Sequence, residues 1–196
     1  DLKSFSALGA YGMSVITALT AQSTQGVVGV LTLPPDFVAL QLETLASDVR
    51  LDAVKVGMLG DAAVAEAVAE GLDLLREIHP GLPVVVDPVL ASTSGAVLSD
   101  ASDPLLEVLA RASLLTPNLA EAAILLGEPE ASTPDEMADQ GRRLLGLGCE
   151  RVLMKGGHAQ GDPVDVLVDT DGVTVIPGRR VDTPNTHGTG CSLSSA

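Results

Sequence analysis

The chain carries almost no aromatic side chains: no tryptophan, one tyrosine and two phenylalanines in 196 residues. With 46% of residues hydrophobic, Val, Leu, Ile and Ala must fill the core. This disfavours a small aromatic-cored β-domain and favours aliphatic strands packed on Ala-rich helices. Basic charge is also scarce, with 11 Lys and Arg against 26 Asp and Glu and a formal net charge of -15. A nucleic-acid partner needs a basic footprint and usually stacking aromatics, and this chain offers neither. An anionic membrane surface is disfavoured on the same ground. No apolar run reaches the roughly 18 residues of a membrane span. Two cysteines, Cys149 and Cys191, do not make a disulfide framework. No signal peptide is visible. The chain opens on Asp1 and closes on Ala196 as a helix begins, so both ends read as truncated, and a reducing cytoplasm is the expected compartment.

Several sites are missing as well. There is no G-x-x-x-x-G-K-[ST] loop, so the chain is not a P-loop enzyme. No Cys-x-x-Cys or H-E-x-x-H supports zinc. His79, His158 and His187 are too dispersed to read as ligands. His79 reads as a surface residue at a helix end, and the other two lie in glycine-rich loops.

What is present is an alternation of aliphatic runs and helical patterns, with the length of one domain, residues 1–196. Residues 1–8 read as helix. Met13 to Leu19 reads as a buried strand and Val27 to Leu31 as a short edge strand. Pro34 and Pro35 start a helix whose apolar face is expected at Phe37, Leu40, Leu45 and Val49. A long helix over 62–78 has Val64, Val68, Leu72 and Leu75 on one stripe. Strands are expected at 53–56, 83–86, 113–115 and 151–154, with helices at 104–110, 118–126 and 135–147 between them. A hairpin is expected around Asp171-Gly172. The alternation predicts an α/β fold with a mostly parallel central sheet covered on both faces. In such sheets ligands bind beyond the carboxyl ends of strands, where Asp87, Asn118 and Lys155 all fall.

The richest segment is Asp182-Thr183-Pro184-Asn185-Thr186-His187-Gly188-Thr189-Gly190-Cys191. Glycines and small polar residues ahead of a helix let successive backbone N–H groups face one anion. Such a hole suits a phosphoryl group in transfer, where catalysis is mostly positioning and charge stabilisation. Cys191 falls in the first helical turn, where a thiol serves as thiolate, base or nucleophile; a buried small hydrophobe is the competing reading. Cys149 follows a helix end with no such loop and reads as a core thiol.

The run Asn185 to Cys191 resembles the signature of the hydroxymethylpyrimidine/phosphomethylpyrimidine kinases of the ribokinase-like superfamily. Most members of that superfamily carry Asp where this chain has Cys191. Residues 1–25, Lys55 to Leu59 (KVGML), Asp87-Pro88-Val89, Thr116 to Glu121 (TPNLAE) and Met154 to His158 (MKGGH) match in the same order. The resemblance implies a three-layer α/β/α sandwich and ATP-dependent phosphorylation of a thiamine precursor. The small-molecule pyrimidine alcohol becomes a monophosphate and then a diphosphate, with Mg²⁺ as partner ion and a homodimer as the assembly. It further implies that Cys191 takes or positions the substrate hydroxyl's proton, while the amides of Gly188, Thr189 and Gly190 hold developing charge. Gln22, Met58, Val89 and Asp1 then contact the substrate. Lys155, Asn118 and Thr186 serve the phosphates, and Glu121 and Asp87 hold Mg²⁺, mainly through water. Asn118 and Glu121 also fit a plain helix cap with a capping-box glutamate, and both readings hold together. Pyridoxal kinase, hydrate dehydratase and an inactive nucleotide-binding fragment are the alternatives.

Overall fold

The structure, a computed structural model, describes residues 1–23, 26–90, 102–157, 163–183 and 188–196. Thr186, His158 and His187 lie outside them.

Six strands make the main sheet in chain order: β3 (Val54–Val56), β4 (Val84–Val86), β5 (Leu114–Leu115), β6 (Val152–Met154), β7 (Val164–Val168) and β8 (Val173–Pro177). β3 to β6 pair in parallel, and β7 and β8 add an antiparallel hairpin. Short all-aliphatic strands suit burial within a parallel sheet. Between them run α3 (Ala62–Ile78), α4 (Asp103–Ala110), α5 (Leu119–Leu126) and α6 (Pro134–Leu145). Successive right-handed crossovers in one direction put these helices on one face of the sheet. That face carries Val56, Val84, Val86, Leu115, Val152, Met154, Val166 and Val168, all buried. Val64, Val68, Leu72 and Leu75 of α3 are buried too, as the stripe predicts.

The opposite face is thinner. Lys55, Val85, Leu114, Leu153 and Leu167 alternate onto it and are only half-buried. There Lys55 pairs with Asp1, the N-cap of the short helix α1 (Leu2–Ala7), and Ser195, just past the short helix α7 (Thr189–Leu193), reaches the same Asp1. The layering is therefore α/β/α, with one deep interface and one shallow one.

Three expectations need correction. The run from Met13 is not a buried strand: β1 is Ala18–Ser23, pairing with β2 (Gly26–Thr32) in a separate antiparallel hairpin with Leu19 exposed. Its apolar residues are not core residues, because the hairpin stands off the main sheet. In α2 (Pro35–Asp48) the buried residues are Val38, Leu42 and Ala46, whereas Phe37 and Leu40 are exposed. The Cβ-less Gly71 of α3 admits the Leu42 side chain, and this docking fixes α2's rotation. His79 is half-buried as the C-cap of α3, with its Nε2 shut off from water.

One close approach controls the edge that carries the site. A Cβ on Gly156 would run into the Val164 carbonyl oxygen and press on the Met137 side chain. The Gly156 N–H donates to Asp165 Oδ1 at 2.9 Å. Gly156→Ala is expected to lower stability by about 1–3 kcal/mol through overpacking and to shift the preceding Lys155. Thermal unfolding of the variant against the parent checks this.

Candidate active site

The ends of the parallel strands converge on Asp87, which follows β4 and is 2% exposed. An isolated buried carboxylate costs several kcal/mol, so it must be answered by partners. Lys155, directly after β6, donates to Oδ1 at 2.7 Å. Thr116, directly after β5, donates to the same oxygen at 3.1 Å. Ser194, one residue past α7, faces Oδ2 at 3.1 Å. Three sequence-distant segments thus meet on one carboxylate.

Asn118 joins this group through the backbone. It bridges to Lys155 as in a parallel strand pair, and the Lys155 N–H donates to the Pro117 carbonyl at 2.8 Å. As N-cap of α5 it forms a reciprocal capping box with Glu121: each backbone N–H donates to the other's side-chain oxygen at 2.8 Å. The cap reading is therefore realised, and it holds Glu121 inward. Burial pushes the Glu121 carboxyl up to about 7. The Asp87 charge adds to that rise, while the Asn118 N–H, the Lys155 charge and a backbone contact at Leu90 oppose it. Among the described residues no three acidic, Cys or His side chains cluster as a metal cage. A cation here would draw most of its ligands from water and substrate.

A second lysine–carboxylate pair lies on the shallow face. Lys55, in the middle of β3, has a side chain only 5% exposed, and its Nζ lies 3.0 Å from both oxygens of Asp1. Asp1 keeps 41% of its side chain open. Ser195 Oγ stands 3.0 Å from Asp1 Oδ1.

Between the two pairs sits the glycine-rich turn. Gly188, the N-cap of α7, has φ 78, a left-handed conformation that suits glycine. Thr189, Gly190 and Cys191 form the first turn of that helix. Gly190 lies against Lys155: a Cβ there would sit 3.3 Å from the ammonium nitrogen. Cys191 is half-buried. Cys149 is the buried thiol the sequence implies, facing the Leu144 carbonyl at 3.5 Å, and burial pushes its pKa up to about 11.

Val89 lines a small cleft with Gly57, Leu59, Val86, Asp87, Pro88, Leu90 and Leu105. Met58 lies between two of these residues. Its carbonyl accepts from Thr17 Oγ1 at 2.7 Å, which ties the base of the β1–β2 hairpin to the β3–α3 loop. Gln22 stands exposed on that hairpin, at the irregular step in its pairing. It is therefore on a separate sheet from the Asp87 group, joined to it through the hairpin base.

Lys55, Thr116, Ser194 and Ser195 were not singled out from the sequence. Lys55 had a signal: a lone cation in an otherwise aliphatic strand, two residues before a glycine. The serines had none beyond their place after the glycine-rich turn.

The fold is ribokinase-like α/β, with the polar cluster at the carboxyl ends of its parallel strands. The family described as phosphomethylpyrimidine kinase matches residues 1–196. A hydroxymethylpyrimidine/phosphomethylpyrimidine kinase of Salmonella typhimurium is 52% identical over 200 residues, spanning 100% of this chain and 74% of that protein. The crystal structure of a phosphomethylpyrimidine kinase from Clostridium difficile 630 superposes with a TM-score of 0.81 at 38% identity, covering 100% of this chain and 79% of that one. A Bacillus subtilis pyridoxal kinase solved as an ADP complex gives a TM-score of 0.86 at 31% identity, covering 100% and 73%. The chain belongs to the phosphomethylpyrimidine kinase family.

The Glu121 carboxyl supplies a pH test. Its ordinary value is 4.5, which applies to the unfolded chain. Between about 4.5 and 7 the folded protein keeps a proton that the unfolded chain has released. Raising the pH through that window therefore removes stability, on the order of 3 kcal/mol in total. Glu121→Gln keeps an acceptor for the Asn118 N–H and cannot titrate. Its stability relative to the parent is expected to rise between pH 4.5 and 8, as measured by urea unfolding at several pH values.

Proposed function

We propose that this chain transfers the γ-phosphoryl group of ATP to the hydroxymethyl oxygen of 4-amino-5-hydroxymethyl-2-methylpyrimidine, and then phosphorylates the monophosphate to the diphosphate, in thiamine biosynthesis. The observation that carries the reading is the meeting of Lys155 with the Gly188–Cys191 turn, in a chain that belongs over its whole length to the phosphomethylpyrimidine kinase family. Residues 1–196 act as one kinase domain in this reading.

In the first step Cys191 accepts the substrate's hydroxyl proton. The oxygen attacks the γ-phosphorus, the bond from that phosphorus to the β–γ bridging oxygen breaks, and ADP leaves. In the second step a phosphate oxygen of the monophosphate attacks a second ATP in the same way. Lys155 offsets charge on the transferring group, and the N–H groups of Gly188, Thr189 and Gly190, with Thr186, hold its oxygens. Such local help matters in a chain with a net charge of -15. Glu121 and Asp87 face the Lys155 charge and suit Mg²⁺ held through water, with Asn118 holding Glu121 in place. The ion would neutralise phosphate charge. Asp1 takes the pyrimidine's donor groups at its open edge, Met58 and Val89 give it an apolar wall, and the Gln22 amide offers paired donor and acceptor.

The reading includes a cytoplasmic location and a homodimer. Val28 at 91% exposure and Val30 on one face of the β1–β2 hairpin, and Leu19 with Leu31 on the other, leave exposed apolar side chains that support a second copy. Pyridoxal phosphorylation is the second reading, favoured by the fold it shares with the Bacillus subtilis enzyme.

Phosphate transfer from Mg-ATP to the pyrimidine, its monophosphate and pyridoxal decides between them. Turnover of the first two supports the proposal, preference for pyridoxal moves the assignment, and no transfer to any of the three ends it. Cys191→Ala is expected to lower kcat by about 10²–10⁴, the range of a general base. Lys155→Met is expected to lower it by about 10²–10³, the range of one charge-stabilising donor. Full turnover in Cys191→Ala would remove the base assignment.

A further inference from the structure

We infer that Ser194 and Ser195 are positioning residues that seat the Gly188–Cys191 turn between the two lysine–carboxylate pairs. The inference rests on the roles proposed above for Cys191 and Asp1. The turn opens α7, whose N-cap is Gly188. Its following residues, Ser194 and Ser195, are 6% and 7% exposed, and each meets a different carboxylate. Ser194 Oγ lies 3.1 Å from Asp87 Oδ2, and Asp87 is held by Lys155 at 2.7 Å. Ser195 Oγ lies 3.0 Å from Asp1 Oδ1, and Asp1 is held by Lys55 at 3.0 Å.

The same hydroxyls reach back to the turn. Ser194 Oγ is 3.1 Å from the Gly190 carbonyl and 3.2 Å from that of Cys191, and Ser195 Oγ is 2.6 Å from the Cys191 carbonyl. A hydroxyl has one proton, so carboxylate and carbonyl compete for it, and the charged acceptor makes the stronger bond. Each serine is thus wedged between a fixed carboxylate and the backbone of the catalytic turn. Adjacent residues of a helical turn point about 100° apart. One anchor would let the turn pivot; two anchors in different directions set both its position and its rotation. The Cys191 thiol and the Gly190 amide then stand at set distances from Asp1, which meets substrate, and from Lys155, which meets phosphate.

A buried serine that only satisfies its own helix carbonyls would affect stability alone. Ser194→Ala, Ser195→Ala and the double variant separate the two cases. Each would be measured for thermal midpoint, for kcat and KM towards the pyrimidine and Mg-ATP, and for the alkylation rate of Cys191 by iodoacetamide across pH, with the modified peptide identified by mass. We expect folded single variants with kcat lowered about 10–100-fold, the scale of a misplacement near 1 Å. Ser195→Ala should act more on KM for the pyrimidine, Ser194→Ala more on KM for Mg-ATP, and Cys191 alkylation should shift several-fold in both. Folded variants with kcat and alkylation rate within twofold of the parent overturn the inference. If the alanine variants do not fold, Lys55→Met reads the same clamp from behind Asp1. An unchanged pyrimidine KM and alkylation rate there also overturn it. Alkylation needs no substrate. A serine-dependent alkylation rate in a parent that phosphorylates nothing would therefore sink the proposed function and leave the positioning role standing.

Discussion

The architecture of the site depends on one buried charge. Asp87 ends β4 almost out of reach of water, and a carboxylate there is tolerable only if donors surround it. Its donors come from the ends of β5 and β6 and from just beyond α7, so satisfying one side chain fixes the relative placement of segments more than 100 residues apart. The capping box of α5 then leans on the same neighbourhood, because Asn118 is bridged to the lysine that answers Asp87.

Two carboxyl groups share this neighbourhood with opposite surroundings. Asp87 has Lys155 in direct contact and two hydroxyls besides. Glu121 has backbone N–H groups and only the more distant field of that lysine, so burial dominates and it keeps its proton more readily.

Much of this was legible from residue order. The aliphatic runs and the polar residues that end them placed Asp87, Asn118 and Lys155 at one edge of a parallel sheet, because a helix between each pair of strands leaves little choice of topology. The stripe of α3 was legible for the same reason, being buried over about three turns. The faces of α2 were not, since Phe37 and Leu40 look like core by hydrophobicity and only the missing Cβ at Gly71 selects Leu42 instead. The β1–β2 hairpin misled because β-branched, apolar sequence reads as interior strand, whereas here it faces outward. Ser194 and Ser195 were invisible because their importance lies in which distant carboxylates they meet, and no local pattern encodes that.

The placement of the lysines has a kinetic consequence. The sequence contains only three, and two of them, Lys55 and Lys155, are turned inward onto carboxylates. Their positive charge acts over hydrogen-bond distances, while the excess of acidic groups sets the field that an approaching ligand meets first. Salt screens that long-range repulsion more than the short contacts inside the cleft. For an anionic ligand, added salt therefore speeds encounter here, the reverse of the slowing found where a basic surface steers its ligand in.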